Sequence, residues 1–440
     1  MYVFLNWFFC IITAVWLGYL FFKKRYYFIK PSIILITLSH IFFQLPLAIY
    51  SQKYEYAVPD PYMLSFLING YILIGLLISL YTFQKSSIII WNRISTLNLG
   101  DYEVDGWVIF LFSMIILLIA SIYLFYVPFS ETGLYAVLNN PTMAAIARER
   151  SLKLLDSQTL GYAYSLMTSV LAPLFAVILF FSAAKYFLAK RYTLVFILTL
   201  LILLLMFTVS LPGARVYAVN LLLVMTISFL LLKGLPFHPV KLFLLLLLIV
   251  IPGVLIGIYR EGTALGFNTF FHYSWDFIGR RIFQDPLEVG SWYIHHAQTN
   301  GLFGVGAVPK LASIVGYDAL NVPNFIGLRY QQGAGSSVSA GAGYLLTYYS
   351  YFGPLSIIVS LIGLWLLDMA LYVYMALRHS FLIPCVSAVS LSILSLISSD
   401  YTTVLITHGF ALILIVSIAF NAMGVLGMPG IIQKKVENRV

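Results

Sequence analysis

The sequence predicts an all-α, polytopic integral membrane protein with about 11 transmembrane helices and one large folded loop on the outer side. Three observations predict it. Of the residues, 61% are hydrophobic and only 9% charged; mean hydropathy is +0.95; and apolar runs of crossing length recur along the 440 residues. Soluble domains carry about 25% charged residues, so water is not the main solvent of this chain.

A bilayer core of about 30 Å takes roughly 20 apolar helical residues per crossing. Runs of that kind fall at 2–22, 28–50, 63–84, 106–127, 162–184, 192–210, 215–232, 242–259, 353–377, 380–398 and 403–427. Residues 1–440 therefore read as a single transmembrane domain. The first run has no basic residue before it, Lys23, Lys24 and Arg25 directly after it, and no small-residue cleavage site. It is expected to be a permanent helix with its N-terminus outside. Alternating from there puts 15 of the 25 basic residues in inward segments, ending with Lys434, Lys435 and Arg439 at an inward C-terminus. That agrees with the enrichment of Lys and Arg in short cytoplasmic loops.

The formal charge of +9 follows from the same bias and does not point to nucleic acid. Cys10 and Cys385 both fall inside apolar runs, where a thiol behaves as a small apolar group. Neither a disulfide framework nor a metal-thiolate site is expected. No internal repeat of the kind many transporters carry is visible.

Two outward loops exceed the usual length, 128–161 and 260–342. The first leads through Asn140-Pro141 into a basic helix with Arg148, Arg150 and Lys153. The second is aromatic and helically patterned, so it is expected to be folded. In it, Phe267, Phe270, Phe271, Trp275, Ile278 and Ile282 share a helical face beside the polar line His272, Asp276 and Arg280, as an interfacial helix requires. Asp285-Pro286-Leu287-Glu288 then reads as a helix start, with Asp at N-cap, Pro at N1 and Glu at N3, running to about Gln298 before Asn300-Gly301.

The residue types that bear chemistry gather in the outward segments. Arg215 follows Pro212-Gly213-Ala214 and heads a run, where helix N-terminal amides attract anions; an arginine snorkelling to the interface fits that position equally. Arg260, Arg280, Arg281 and Arg329 also lie outward, against one lysine, Lys310, in the large loop. Arginine offers a planar fork that clamps phosphate oxygens bidentately, which makes a diphosphate partner credible. The Gly-Ser stretch Gly333 to Gly343 can supply backbone N–H groups to an anion, or be a plain hinge. Tyr330, Tyr344 and Tyr348 are candidate sugar-stacking rings, within an aromatic run through Tyr349, Tyr351 and Phe352 that also fits an interfacial belt. Glu288, Asp276 and His272 are candidate acid or base groups, as are His295 and His296, with caps, ion pairs or surface roles as the competing reading. Adjacent histidines point apart by about 100° on a helix, so His295-His296 is no metal site. His40 and His408 lie within runs, where an ionisable group is either functional or an interhelical hydrogen-bond partner.

On these residues the chain resembles the Wzy-type O-antigen or oligosaccharide repeat-unit polymerases, and more remotely the O-antigen ligases. The likeness is architectural over nearly the whole length. At residue level it rests on the Gly213-to-Arg215 turn, Arg260, the Arg281-x4-Pro286-x-Glu288 segment and the Gly-rich stretch leading to Tyr351-Phe352-Gly353. The Arg-x10-Gly spacing of some members is absent, Arg280 to Gly290 being one residue short.

The resemblance implies a C-type, metal-independent glycosyltransferase of the bacterial inner (plasma) membrane, without cofactor, acting at its periplasmic face. It would move a growing glycan from undecaprenyl diphosphate onto an undecaprenyl-diphosphate-linked repeat unit. Arg215, Arg260 and Arg281 would hold the diphosphate leaving group, and Glu288, Asp276 or His272 would take the acceptor proton. The implied partners are lipid-linked oligosaccharides and the bilayer, with a chain-length regulator as a further candidate. The competing functions are an O-antigen ligase, which runs the same chemistry on a lipid A-core acceptor, and a lipid-linked oligosaccharide flippase. The flippase reading is poorer because Asp368 is the only acidic residue deep in a run.

Overall fold

The computed structural model describes the chain except residues 100–101, 105, 140–146, 148–159, 214, 235–250, 252–253, 256–257, 259–265, 276–278, 309–311, 313–315, 317–319, 331–340, 407, 424–425 and 428–440. The described residues are helical throughout, apart from turns and a two-residue antiparallel pair, Glu103–Val104 with Leu426–Gly427. In chain order the principal helices are α1 (Tyr2–Lys23), α2 (Pro31–Ile49), α3 (Pro61–Tyr81), α4 (Gln84–Ser95), α5 (Gly106–Tyr126), α6 (Ala163–Leu188), α7 (Tyr192–Ser210) and α8 (Arg215–Leu232). There follow α9 (Phe267–Ser274), α10 (Asp285–Asn300), α11 (Val322–Tyr330), α12 (Tyr344–Ala376), α13 (Phe381–Ile397) and α14 (Tyr401–Ala422).

Eight of these, α1, α2, α3, α5, α6, α7, α12 and α14, are long and apolar enough to cross a membrane, and α8 and α13 are shorter apolar helices. The protein is thus a multi-pass membrane protein. The predicted run 242–259 lies almost wholly outside the described residues.

Two spans widen into a π turn, at His40–Gln44 in α2 and Met167–Leu171 in α6. The cause is the same in both. Pro46 and Pro173 each stand two residues past the widened turn, and a proline inside a helix has no N–H and presses its ring on the preceding turn.

Contacts divide the chain into two compact units. The first comprises Met1–Ile88, Ser274–Leu371 and Ile393–Ile406; the second comprises Ile89–Tyr273, Tyr372–Ser392 and Thr407–Val440. In the first, α1, α2 and α3 are tied by a buried polar chain. His40 Nδ1 pairs with Gln44 Oε1 at 2.7 Å, Gln44 Nε2 donates to Asn69 Oδ1 at 2.8 Å, and Asn69 Nδ2 donates to Asn6 Oδ1 at 3.0 Å. Lipid gives apolar faces no reason to prefer each other over tails, so such bonds select which helices meet. His40 is bonded within α2, and Gln44 carries the link from α2 to α3.

Lys30 adds a second tie. Its ammonium pairs with Asp368 at 3.1 Å, both side chains fully buried, and donates to the carbonyls of Ser79 and Thr82 at the C-terminal end of α3. Asp368 in turn accepts from the Ser32 N–H at 2.9 Å and its hydroxyl at 2.8 Å. A cation at helix C-terminal carbonyls satisfies acceptors the helix cannot fill itself.

In the second unit the core is aromatic. Phe112 of α5 stacks on Phe175 of α6 at 3.8 Å between centroids, with Phe420 of α14 beyond it. Arg93 of α4 donates to the carbonyls of Tyr374, Met375 and Leu377 at the end of α12. The glycine of the Gly213-to-Arg215 turn has a steric reason here: its φ is +80° and its backbone abuts Gly133 so closely that neither position has room for a Cβ.

Candidate functional site

Within the first unit a cavity of about 400 Å³ opens among α10, α11, the start of α12 and the turn before α14. Tyr293, Asn321, Thr347, Tyr351, Ser398, Ser399, Asp400 and Thr403 supply its polar lining. The sequence topology puts all of these segments on the outer side, and here they converge.

Helix α10 carries Tyr293. It begins one residue after Gln284, with Pro286 in its first turn, and ends at Gly301, whose φ of +93° suits only glycine. It lies against α12 so closely that a Cβ on Gly290 would stand 2.0 Å from Leu346 Cδ1. The expected capping box is not made. Gln284 is the N-cap without a side-chain bond, Asp285 pairs with Arg280 at 3.0 Å, and Glu288 pairs with Lys53 at 2.8 Å while accepting from Gln284 Nε2 at 3.1 Å. Both carboxylates find cations within reach instead.

Asp400 is the carboxylate of the cavity. It caps α14: Oδ1 accepts from the Thr403 N–H at 2.9 Å and from the Thr402 hydroxyl, and Oδ2 accepts from the Thr403 hydroxyl at 2.9 Å. A carboxylate offers about four lone-pair sites, so three donors leave Asp400 able to accept one more bond, from a ligand hydroxyl. Tyr293 is fully buried and hydrogen-bonded with the backbone of Ala342. Burial pushes its phenol well above the ordinary range, the Ala342 bond opposes this, and the Asp400 charge pushes the same way as burial. Tyr293 therefore stays protonated and serves as a donor. Rings, hydroxyls, an amide and one carboxylate, with no cation among the described lining residues, suit a neutral polyhydroxylic ligand.

None of the predicted site residues is among the described lining of this cavity. Glu288 is held by Lys53; burial would raise its carboxyl, but the Lys53 bond and charge outweigh it and the net direction is down, which makes it a weaker base than an ordinary glutamate. His272 is exposed on α9. Arg280 is tied to Asp285, and Arg329 is exposed, donating to Asn300 Oδ1 at 3.0 Å and lying 5.9 Å from the Tyr330 ring. Arg215 heads α8 and Arg281 lies in the short helix Arg280–Phe283; the side chains of both, and the whole of Arg260 and Asp276, lie outside the described residues. So do Arg148, Arg150, Lys153 and most of the Gly-Ser stretch.

No known relative guides the assignment. Compared with family models, curated proteins and solved structures, the chain matches none.

The tyrosine assignments need correction. Tyr344 is fully buried, its hydroxyl bonded to Ser39 at 3.0 Å and its ring against Tyr71 and Tyr401. Tyr348 is 4% exposed, stacks on Tyr401 at 5.9 Å and accepts from the Tyr401 N–H. Neither lines the cavity; the helix holding them starts at Tyr344, nine residues before the predicted run, and packs into the bundle. Tyr330 stays half-buried, its hydroxyl 3.1 Å from His296 Nδ1. His296 itself sits in an aromatic box, stacked on Phe303 at 4.6 Å with Phe325 edge-on. The tyrosine of that run that lines the cavity, beside Tyr293 of α10, is Tyr351.

The signal for Asp400 was present in the sequence. Ser398-Ser399-Asp400-Tyr401-Thr402-Thr403 is a capping pattern between two apolar runs, outside the two long loops.

Proposed function

We propose that this protein is a polymerase of lipid-linked oligosaccharide repeat units, transferring a growing glycan from undecaprenyl diphosphate to the non-reducing end of a second lipid-linked unit. The reading places it in the bacterial plasma membrane, N-terminus outside and C-terminus inside, without a metal. The observation that carries it is the outward cavity with Asp400 among tyrosines, hydroxyls and Asn321, a lining whose donors and acceptors match sugar hydroxyls. In this reading Asp400 takes the proton of the acceptor hydroxyl as the glycosidic bond forms. Tyr293 donates to a sugar oxygen. The diphosphate departs to an arginine outside this lining, for which Arg281 of the same unit is the candidate.

The test is incubation of the purified protein with undecaprenyl-diphosphate-linked repeat units, comparing wild type with Asp400→Asn and reading polymer length on a gel. Wild type yields a ladder, and the Asn variant loses about 100-fold or more, the scale of a general base. Absence of polymer from folded wild type overturns the function. A ladder undiminished in Asp400→Asn leaves the function standing and overturns the site. Transfer to a lipid A-core acceptor in place of a second repeat unit would make the protein a ligase.

A further inference from the structure

The second unit holds a groove of a different kind. It measures about 730 Å³ and is almost wholly apolar, formed by Phe180, Ala184 and Leu188 of α6, Val195 and Ile202 of α7, and Met225 of α8. From Phe180 to Leu188 a helix rises about 12 Å, most of the roughly 15 Å hydrocarbon depth of one leaflet. The helices around it are membrane-spanning or apolar, as a site for an acyl chain requires.

One end of the groove is basic. Helices α6 and α7 are joined by Ala189, Lys190 and Arg191, and α8 is followed by Lys233; Lys190, Arg191 and Lys233 are all exposed, and Lys185 lies one turn back on α6. The joint is a Schellman closure: the Arg191 N–H reaches the Tyr186 carbonyl at 2.9 Å and the Lys190 N–H reaches Phe187 at 3.0 Å. Lys190 occupies the left-handed position of that motif, φ +58°, where glycine is the usual residue. A lysine in a strained place that glycine would fill freely points to a use for its charge. Asp101, Glu103 and Asp105 follow Leu99, which also touches the groove; their side chains lie outside the described residues.

We propose that this groove binds an anionic diacyl phospholipid, one acyl chain lying along α6 to α8 and the phosphate resting on Lys190, Arg191 and Lys233. The site takes a structural lipid, independent of the glycan cavity. Basic residues between spans, close to the headgroup level, are how such headgroups are held, and the hollow left by Ala184 is what admits the tail.

The test is native mass spectrometry of the purified full-length protein with phosphatidylglycerol, with phosphatidylcholine of the same chains, and with chainless glycerophosphoglycerol. Phosphatidylglycerol is expected to be retained about tenfold or more over phosphatidylcholine, and its affinity to fall about fivefold for each of Lys190→Gln, Arg191→Gln and Lys233→Gln. Ala184→Phe, which fills the hollow, is expected to weaken both lipids; Met225→Phe serves where Ala184→Phe does not fold. Equal retention of the two lipids, full retention by the triple Gln variant, or chainless headgroup binding as well as the lipid would each overturn the proposal. So would efficient disulfide formation between Val195→Cys and Leu244→Cys in lipid-free protein, which would give the groove to the chain's own segment.

Discussion

At Asp400 a helix cap and the proposed proton acceptor meet in one side chain, and substitution can part them. Asparagine caps a helix about as well as aspartate, whereas alanine costs about 1 kcal/mol. Asp400→Asn is therefore expected to melt with the wild type while losing polymer formation, and Asp400→Ala to lose both. His296 gives a pH prediction. Burial first, then the Arg329 charge and His295, hold its imidazole below the ordinary value, so the folded state binds this proton less readily than the unfolded chain. The stabilisation is full above the ordinary imidazole range and is lost as pH falls through the lowered folded value. Thermal midpoints compared at about pH 7 and about pH 5 should fall less in His296→Phe than in wild type; an equal fall would place the acid sensitivity elsewhere. Residue types were legible in the sequence. Which acid faced a cavity was not, because Glu288 and Asp285 gained cations from segments that only folding brings near.

Among the elements, α10 was the most legible and α12 the least. Proline at the start and glycine at the end are local chemistry, and they bound α10 as expected. Its docking is tertiary: Gly290 admits Leu346, and through that contact the helix sets Tyr293 against the cavity. Gly290→Val is expected to destabilise the protein by about 1–3 kcal/mol through overpacking, with polymer formation reduced, and Leu346→Ala in the same chain to restore part of both. Denaturation in detergent with and without the second substitution checks this. For α12, tyrosine's polar tip makes a Tyr-rich segment read as interface; the hydroxyl of Tyr344 found Ser39 instead, and the segment became core. The tail of the Gly-rich stretch is similar, since Gly341 and Gly343 lie against the Ser398 and Ile397 carbonyls with no room for a Cβ.

At the scale of the molecule, the Lys30–Asp368 pair ties residues 338 positions apart in sequence and also closes the end of α3. Removing one partner of a buried pair costs about 3–5 kcal/mol because the other charge is stranded. Lys30→Met should therefore be strongly destabilising, Asp368→Asn milder because Lys30 keeps the α3 carbonyls, and Lys30→Met with Asp368→Leu partly restored; unfolding in detergent orders them. A double variant no better than Lys30→Met would mean that the carbonyl bonds outweigh the pair. The sequence by itself determined that this is a multi-pass helical membrane protein and where most of its spans run, since crossing length and hydropathy are sums over neighbouring residues and need no partner. Only the tertiary structure decided which helices pair, which carboxylate lines the cavity and which tyrosines are buried. Those are contacts between residues distant in the chain, chosen by hydrogen bonds and close packing that no local pattern encodes.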